Sequence, residues 1–251
     1  SVTIAGTVTT GDLMRRCAAS KNDTPEGLRR LRDACGELDA RVVETVCAVA
    51  KHKTTPIIIG GGHNNAYPII KAVCQARQIK DIPVINLDAH ADFRPMEGRH
   101  SGNPFRYAHH EGLLKDYHVI GLHEDVNNGP MMEAFSKAGF LAATYDDIFV
   151  RDKTDFKRAL DRSVARLKRH KVPVGVELDL DAIANMPTSA HAPYGVSLQD
   201  AAYFTHHVAQ TLDCAYLHIA EGAPRYRSDG VRLIGKAITM LVSAFIKGSD
   251  A

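Results

Sequence analysis

Three short stretches of the chain carry residue types that can do chemistry once they converge. The first is Ile57-Ile58-Ile59-Gly60-Gly61-Gly62-His63, an apolar run that passes through three glycines into a histidine. Glycines open backbone conformations closed to other residues and let the chain approach a site closely. The second is Val84-Ile85-Asn86-Leu87-Asp88-Ala89-His90-Ala91-Asp92. If it stays extended, Asp88, His90 and Asp92 project to one side, because strand side chains alternate. The third is Val174-Gly175-Val176-Glu177-Leu178-Asp179-Leu180-Asp181, which places Glu177, Asp179 and Asp181 on one face. Acids stacked at the end of an apolar strand repel one another where charge is poorly solvated. Cations resolve that conflict. Each stretch also has an ordinary reading: a histidine after a glycine turn is commonly a loop residue, and an acidic run is commonly solvated. The second reading fits poorly here, because both acidic runs continue directly from apolar ones.

The joint set of candidate ligands is His63, Asp88, His90, Asp92, Asp179 and Asp181. Its four carboxylates balance two divalent ions, whereas one ion would leave a large uncompensated charge in a low-dielectric pocket. Carboxylate-rich ligation with two imidazoles and no thiolate favours two Mn2+, with other divalent metals admissible. A metal pair about 3.5–4 Å apart can activate water at neutral pH.

Such a cluster needs a frame that sets strand ends side by side. Runs rich in Val and Ile recur at 56–59, 83–87, 117–122, 140–144, 173–178 and 215–219, alternating with amphipathic segments such as 156–171 and 198–212. This alternation predicts an α/β domain with a central, mainly parallel sheet covered on both faces. In such sheets function collects in loops beyond the carboxyl ends of the strands. With no internal repeat or long linker, a single domain over residues 1–251 is expected. Thr24-Pro25-Glu26 reads as a capped helix start with proline at the first position. That helix is expected to run towards Lys51, with an interruption near Gly36. Ser197-Leu198-Gln199-Asp200 reads as a second capped start. The basic run Arg166, Lys168, Arg169, His170 and Lys171 reads as a solvated helix end.

Bulk properties exclude several classes. The 251 residues are 45% hydrophobic, enough for one large core. A formal charge of +2 gives no strong pull towards nucleic acid or a membrane surface. No stretch reaches the roughly 18 apolar residues that cross a bilayer. Residues 1–10 lack the pattern of a secretion signal, although Ser1, not being methionine, is consistent with a trimmed start. Five scattered cysteines argue against a disulfide scaffold or thiolate zinc site, and for a reducing, cytoplasmic setting.

Taken in order, the three stretches resemble the metal motifs of the arginase family, the group of arginases, agmatinases and formimidoylglutamases, over about residues 57–222. The resemblance implies a three-layer α/β/α fold, homo-oligomers, and a binuclear metal centre. One ion would be held by His63, Asp88, Asp92 and Asp179, the other by His90, Asp88, Asp179 and Asp181, with Asp88 and Asp179 shared. Within the family, the stretch from Arg94 through Ser101-Gly102-Asn103-Pro104-Phe105 is similar to the formimidoylglutamase branch. Arginases and agmatinases usually carry histidine where Ser101 stands. Ala192-Pro193-Tyr194-Gly195 and His218-Ile219-Ala220-Glu221 also look like that branch. The resemblance implies conversion of N-formimidoyl-L-glutamate and water to L-glutamate and formamide, a step of histidine degradation.

That substrate presents two carboxylates and a cationic amidine. Arg94, Arg99 and Arg106 follow the second metal stretch and could bind carboxylates bidentately, with Ser101 and Asn103 as polar companions. Pockets for small ligands use few polar anchors, so only one or two of these arginines are expected to touch substrate. Asp181 could accept a proton beside the activated water, and His100 could shuttle one to the leaving amine. Glu177 stands where many relatives carry serine; it could be an extra ligand, a support behind a metal-bound histidine, or a salt-bridge member. Glu221 could orient the site from behind the ligands. Asp200 lies near the acid that grips guanidinium in arginases, but helix capping is its favoured role. Two alternatives stay open: a guanidino hydrolase releasing urea, and a non-catalytic regulatory or binding protein on the same fold.

Overall fold

Six strands align in parallel because their apolar runs are buried on both faces by intervening helices. In the computed structural model, which describes residues 2–21, 23–51 and 54–250, these are β1 (Ile57–Ile59), β2 (Ile82–Leu87), β3 (Leu114–Leu122), β4 (Leu141–Thr144), β5 (Val174–Asp179) and β6 (Cys214–Ala220). Ser1, and with it the reading of the chain's start, lies outside the described residues. The sheet order is β1-β6-β5-β2-β3-β4, and every neighbouring pair is parallel. All six strands coincide with the Val- and Ile-rich runs.

Helices cover both faces, giving the expected three layers. On one side lie α6 (Phe156–Lys168), α7 (Leu198–Thr211) and α8 (Gly230–Ser249), whose Leu160, Phe204 and Leu241 pack on Val176, Leu178 and Leu217 of the sheet. The other side holds α2 (Pro25–Ala50), α3 (Ala66–Arg77), α4 (Pro104–His110) and α5 (Gly129–Lys137), preceded by the short α1 (Gly11–Cys17). There Val46, Ile70, Phe105 and Phe135 meet Val84, Tyr117 and Val119. Each large apolar side chain removed from water contributes about 1.5–3 kcal/mol.

Local signals explain the helix boundaries. Thr24 Oγ1 accepts from Gly27 N at 3.1 Å, and Ser197 with Asp200 forms a reciprocal capping box. Asp200 is thus engaged in capping the start of this helix. The expected interruption of α2 is absent: the helix runs unbroken through Gly36, whose surroundings are open. A glycine costs about 1 kcal/mol in a helix interior, and the burial of Val42 and Val46 further along offsets it. The basic run after α6 is also less solvated than expected, because Arg166 Nε and His170 Nε2 each lie 3.0 Å from the buried Asp116.

The topology places the site. From β2 the chain moves outward to β3 and β4, then returns to β5 on the other side of β2. Loops leaving β2 and β5 therefore diverge, which opens a crevice at the carboxyl edge of the sheet. Both strands end in acids.

Candidate metal centre

His63 follows the glycine turn after β1 and opens a single helical turn, His63–Asn65. Gly61 adopts φ 78°, and a Cβ there would sit 2.3 Å from Asn65 Nδ2, so the turn requires glycine. The imidazole is fully buried, with Phe105 edge-on at 5.4 Å. Its Nδ1 lies 3.1 Å from Asp88 Oδ2, 3.0 Å from Asp92 Oδ2 and 3.1 Å from Asp179 Oδ2. Despite those distances it makes no hydrogen bond. One nitrogen lone pair and three carboxylate oxygens facing a common point form a donor set for a divalent cation.

The acids reach that point by a route other than strand alternation. β2 stops at Leu87, and Asp92 takes a left-handed φ of 46° that turns its carboxylate back towards Asp88. The expectation of a continued extended run through Asp92 is therefore corrected. At the end of β5, Leu180–Ala182 forms a turn in which Asp181 N donates to Asp179 Oδ1 at 2.7 Å. Asp88 Oδ1 likewise accepts from His90 N at 2.7 Å, and Asp88 Oδ2 from Asn86 Nδ2 at 2.9 Å.

The second expected ligand group is present but looser. His90 Nδ1 stands 3.5 Å from Asp88 Oδ1 and 3.8 Å from Asp181 Oδ2. Asp181 Oδ1 is buried without a partner, and His90 is the most exposed of the six. All six side chains meet at one crevice, with His63, Asp88, Asp92 and Asp179 the tightest.

Electrostatics fit a cation site. Burial, with the charges of Asp88 and Asp181, pushes the Asp179 carboxyl up to about 8. Burial likewise lifts Asp181 to about 6 and Glu221 to about 7. Burial opposes charging of His90, but Asp88, Asp92 and Asp179 outweigh it and raise the imidazole to about 10. Protons on these groups and cations between them are alternative ways of offsetting one concentration of negative charge.

Glu177 is not aimed at the crevice. It contacts the far nitrogen of His63, with Oε2 3.3 Å from Nε2. Burial opposes its ionisation, yet His218 and His63 hold its pKa at about 2. Glu221, at a left-handed φ of 65°, accepts from the His63 backbone N–H at 2.7 Å and lines the crevice.

In front of the acids lies a cleft of about 290 Å³. Arg94, His100 and Ser101 line it, together with Asn127, Asn128, Met131 and Ser189. Among the described residues, the Arg94 guanidinium is tied only to Glu97, at 3.0 Å. His100 Nδ1 accepts from Gly102 N, and burial together with the nearby Arg94 charge lowers its pKa.

Three expected substrate contacts are corrected. Arg99 is buried between the Tyr67 and Tyr107 rings and bound to Asp39, Asn103 and the Asn64 carbonyl. Asn103 is also buried and donates to the Pro95 and Gly98 carbonyls, so it shapes the loop instead of facing the cleft. Arg106 lies over the Phe93 ring at 4.8 Å and is not among the cleft residues. Arg227 pairs with Asp229 at 3.0 Å. The side of a loop that a side chain occupies depends on packing that spacing does not encode.

Other contributors escaped the sequence reading. Asn86 joins Asp88 to the Tyr117 hydroxyl. Asn127 accepts from Ala91 N and donates to Ala89 O, pinning the loop after β2 to the loop after β3. Asn86 and His218 did leave a signal: each is a lone polar residue within an otherwise apolar strand.

Comparison with known proteins adds independent findings. The model of the Arginase family matches residues 23–246. A formimidoylglutamase of Halalkalibacterium halodurans is 34% identical over 160 residues, covering 61% of this chain and 47% of its own. The chain spans about half the length of the curated relatives it matches. Among solved structures, formimidoylglutamase from Bacillus subtilis superposes with a TM-score of 0.77 at 21% identity, over 85% of this chain and 67% of that one. Trypanosoma cruzi formiminoglutamase, solved with Mn2+, gives 0.69 at 21% identity, over 91% and 73%. At those identities the structures establish a shared fold.

Proposed function

Because the chain belongs to the arginase family, we propose that it hydrolyses a carbon–nitrogen bond of a linear amidine, N-formimidoyl-L-glutamate, to L-glutamate and formamide. The observation that carries this reading is the convergence of His63, Asp88, Asp92 and Asp179 on one point at the cleft floor. The choice of substrate is supported by the curated relatives that bear the formimidoylglutamase name and by Arg94 at the cleft wall.

His63, Asp88, Asp92 and Asp179 would hold one divalent ion, and His90, Asp88, Asp179 and Asp181 a second. Manganese is favoured by the donor set and by its presence in the T. cruzi structure. When bound, the pair supplies an activated water and electrostatic stabilisation of developing negative charge. The remaining work belongs to side chains. Arg94 binds a substrate carboxylate bidentately, while Ser101 offers a hydroxyl beside it. Asp181 Oδ1, buried without a partner, is placed to take a proton at the cleft floor. His100, whose pKa is lowered by burial and Arg94, lies at the cleft wall and relays a proton taken up from solvent towards the leaving nitrogen. Glu177 and Glu221 hold His63 from its ring and backbone sides.

We further propose one domain over residues 1–251, supported by a single sheet with a core on each face. Homo-oligomerisation is proposed from the family and is read by light scattering. A cytoplasmic setting is supported by five free cysteines, and no helix among the described residues is long and apolar enough to cross a membrane. The deciding experiment supplies Mn2+-loaded protein with N-formimidoyl-L-glutamate, L-arginine and agmatine. Formamide from the first compound supports the proposal; urea from either of the others would replace the substrate, and no turnover on any would favour a binding role.

A further inference from the structure

Behind His63, on the side away from the acids, lies a fully buried polar group that the chemistry itself does not use. Glu177 accepts from the Tyr216 hydroxyl at 2.7 Å through Oε1. Its Oε2 lies 2.7 Å from His218 Nδ1 and 3.3 Å from His63 Nε2. β5 and β6 place Glu177 directly beside His218 in register. All four side chains are 0% exposed. Carboxylate oxygens accept hydrogen bonds, so this geometry favours the tautomers of His63 and His218 that carry a proton on the ring nitrogen facing Glu177. In that tautomer His63 carries its proton on Nε2 and turns the Nδ1 lone pair towards Asp88, Asp92 and Asp179.

We propose that Tyr216 and His218 are positioning residues for metal binding, holding Glu177 in the place from which it fixes the His63 ring and tautomer for the first cation. This rests on the binuclear reading of the site. Glu177 has rotatable bonds, and a lone hydrogen bond of 3.3 Å would not hold it; the two shorter ones, from β6, do. The backbone beneath is built for this arrangement. Gly175 lies beside Tyr216 in register, and a Cβ there would sit 2.7 Å from the Tyr216 hydroxyl oxygen. Glycine at that position is what lets the phenol reach Glu177. A packing role alone would require the ring volumes but neither the hydroxyl nor the Nδ1 donor.

The test titrates metal-free chain with Mn2+ and follows the electron paramagnetic resonance of the free ion. In His218→Leu, one of the two ions should bind about 10–100-fold more weakly than in the wild type. His218→Asn, whose amide nitrogen takes the place of Nδ1, should recover most of that loss. Tyr216→Phe, which keeps the ring and removes only the hydroxyl, should weaken the same ion several-fold; it serves as the readout if His218→Leu fails to fold. His218→Leu or Tyr216→Phe binding as tightly as the wild type, or His218→Asn binding no better than His218→Leu, overturns the proposal. A wild type that takes up no Mn2+ overturns the binuclear reading and this proposal with it. A wild type that loads beside unaffected variants overturns this proposal alone.

Discussion

Arg99 Nε lies 2.7 Å from Asp39 Oδ2 in the protein interior, across 60 positions of sequence. The pair joins α2 to the loop that carries His100 and Ser101, and Arg99 also donates to the Asn64 carbonyl beside His63 at 2.7 Å. A guanidinium held this way stabilises the frame of the site and has no free face for substrate. Removing one member of a buried ion pair leaves the other uncompensated, so Arg99→Ala should lose about 3–5 kcal/mol of stability. Denaturant midpoints of the metal-free protein measure this. A loss under 1 kcal/mol would mean that the pair is solvated.

Arg94 should behave in the opposite way. Its side chain is exposed at the cleft and pairs with Glu97, so Arg94→Ala should leave stability nearly unchanged. It should raise KM for the amidine substrate about 10–100-fold, as expected on losing a charge-assisted bidentate contact. Arg106→Ala is the control: with its guanidinium over Phe93, it should leave KM as it is. Equal effects of the two substitutions would remove the carboxylate anchor from Arg94.

Asp181→Asn keeps the shape of the side chain and removes its charge. Turnover should fall by at least 100-fold, and one ion should bind more weakly while the other is retained. Full metal uptake with undiminished turnover in steady-state assays would end the role given to this residue.

Far from the cleft, Asp116 is buried against Arg166, His170 and His118. Burial opposes its ionisation, but His118 at 3.4 Å and the hydrogen bonds from His170 and Arg166 outweigh it and hold the carboxyl well below the usual range. A depressed folded pKa contributes stability that is present above the unfolded value of about 3.9 and is lost as pH falls through the folded one. Asp116→Asn should therefore cost on the order of 2 kcal/mol near neutral pH. The gap from wild type should narrow steadily below about pH 4 in unfolding experiments. A gap that stays constant with pH would contradict the ionised pair.

Much of this was legible in the residues themselves. Short apolar runs marked all six strands, and Thr24 and Ser197 marked helix starts, because those signals act within a few residues. The six side chains that meet at the crevice were legible too, since acids at the ends of buried strands are costly unless something offsets them. What stayed hidden depends on distant packing. Arg99 and Arg94 sit five positions apart on one loop, yet Tyr67, Tyr107 and Asp39 claim the first. Gly36 did not break α2, because the helix is long and packed along its length. Asp92 left the extended conformation because the site draws its carboxylate inward.

The most direct test is anomalous diffraction at the manganese edge from crystals of the Mn2+-loaded protein. Two peaks about 3.5–4 Å apart are predicted, one against His63 and Asp92, the other against His90 and Asp181, with Asp88 and Asp179 reaching both. A single peak at full loading, or peaks away from these side chains, would contradict the account.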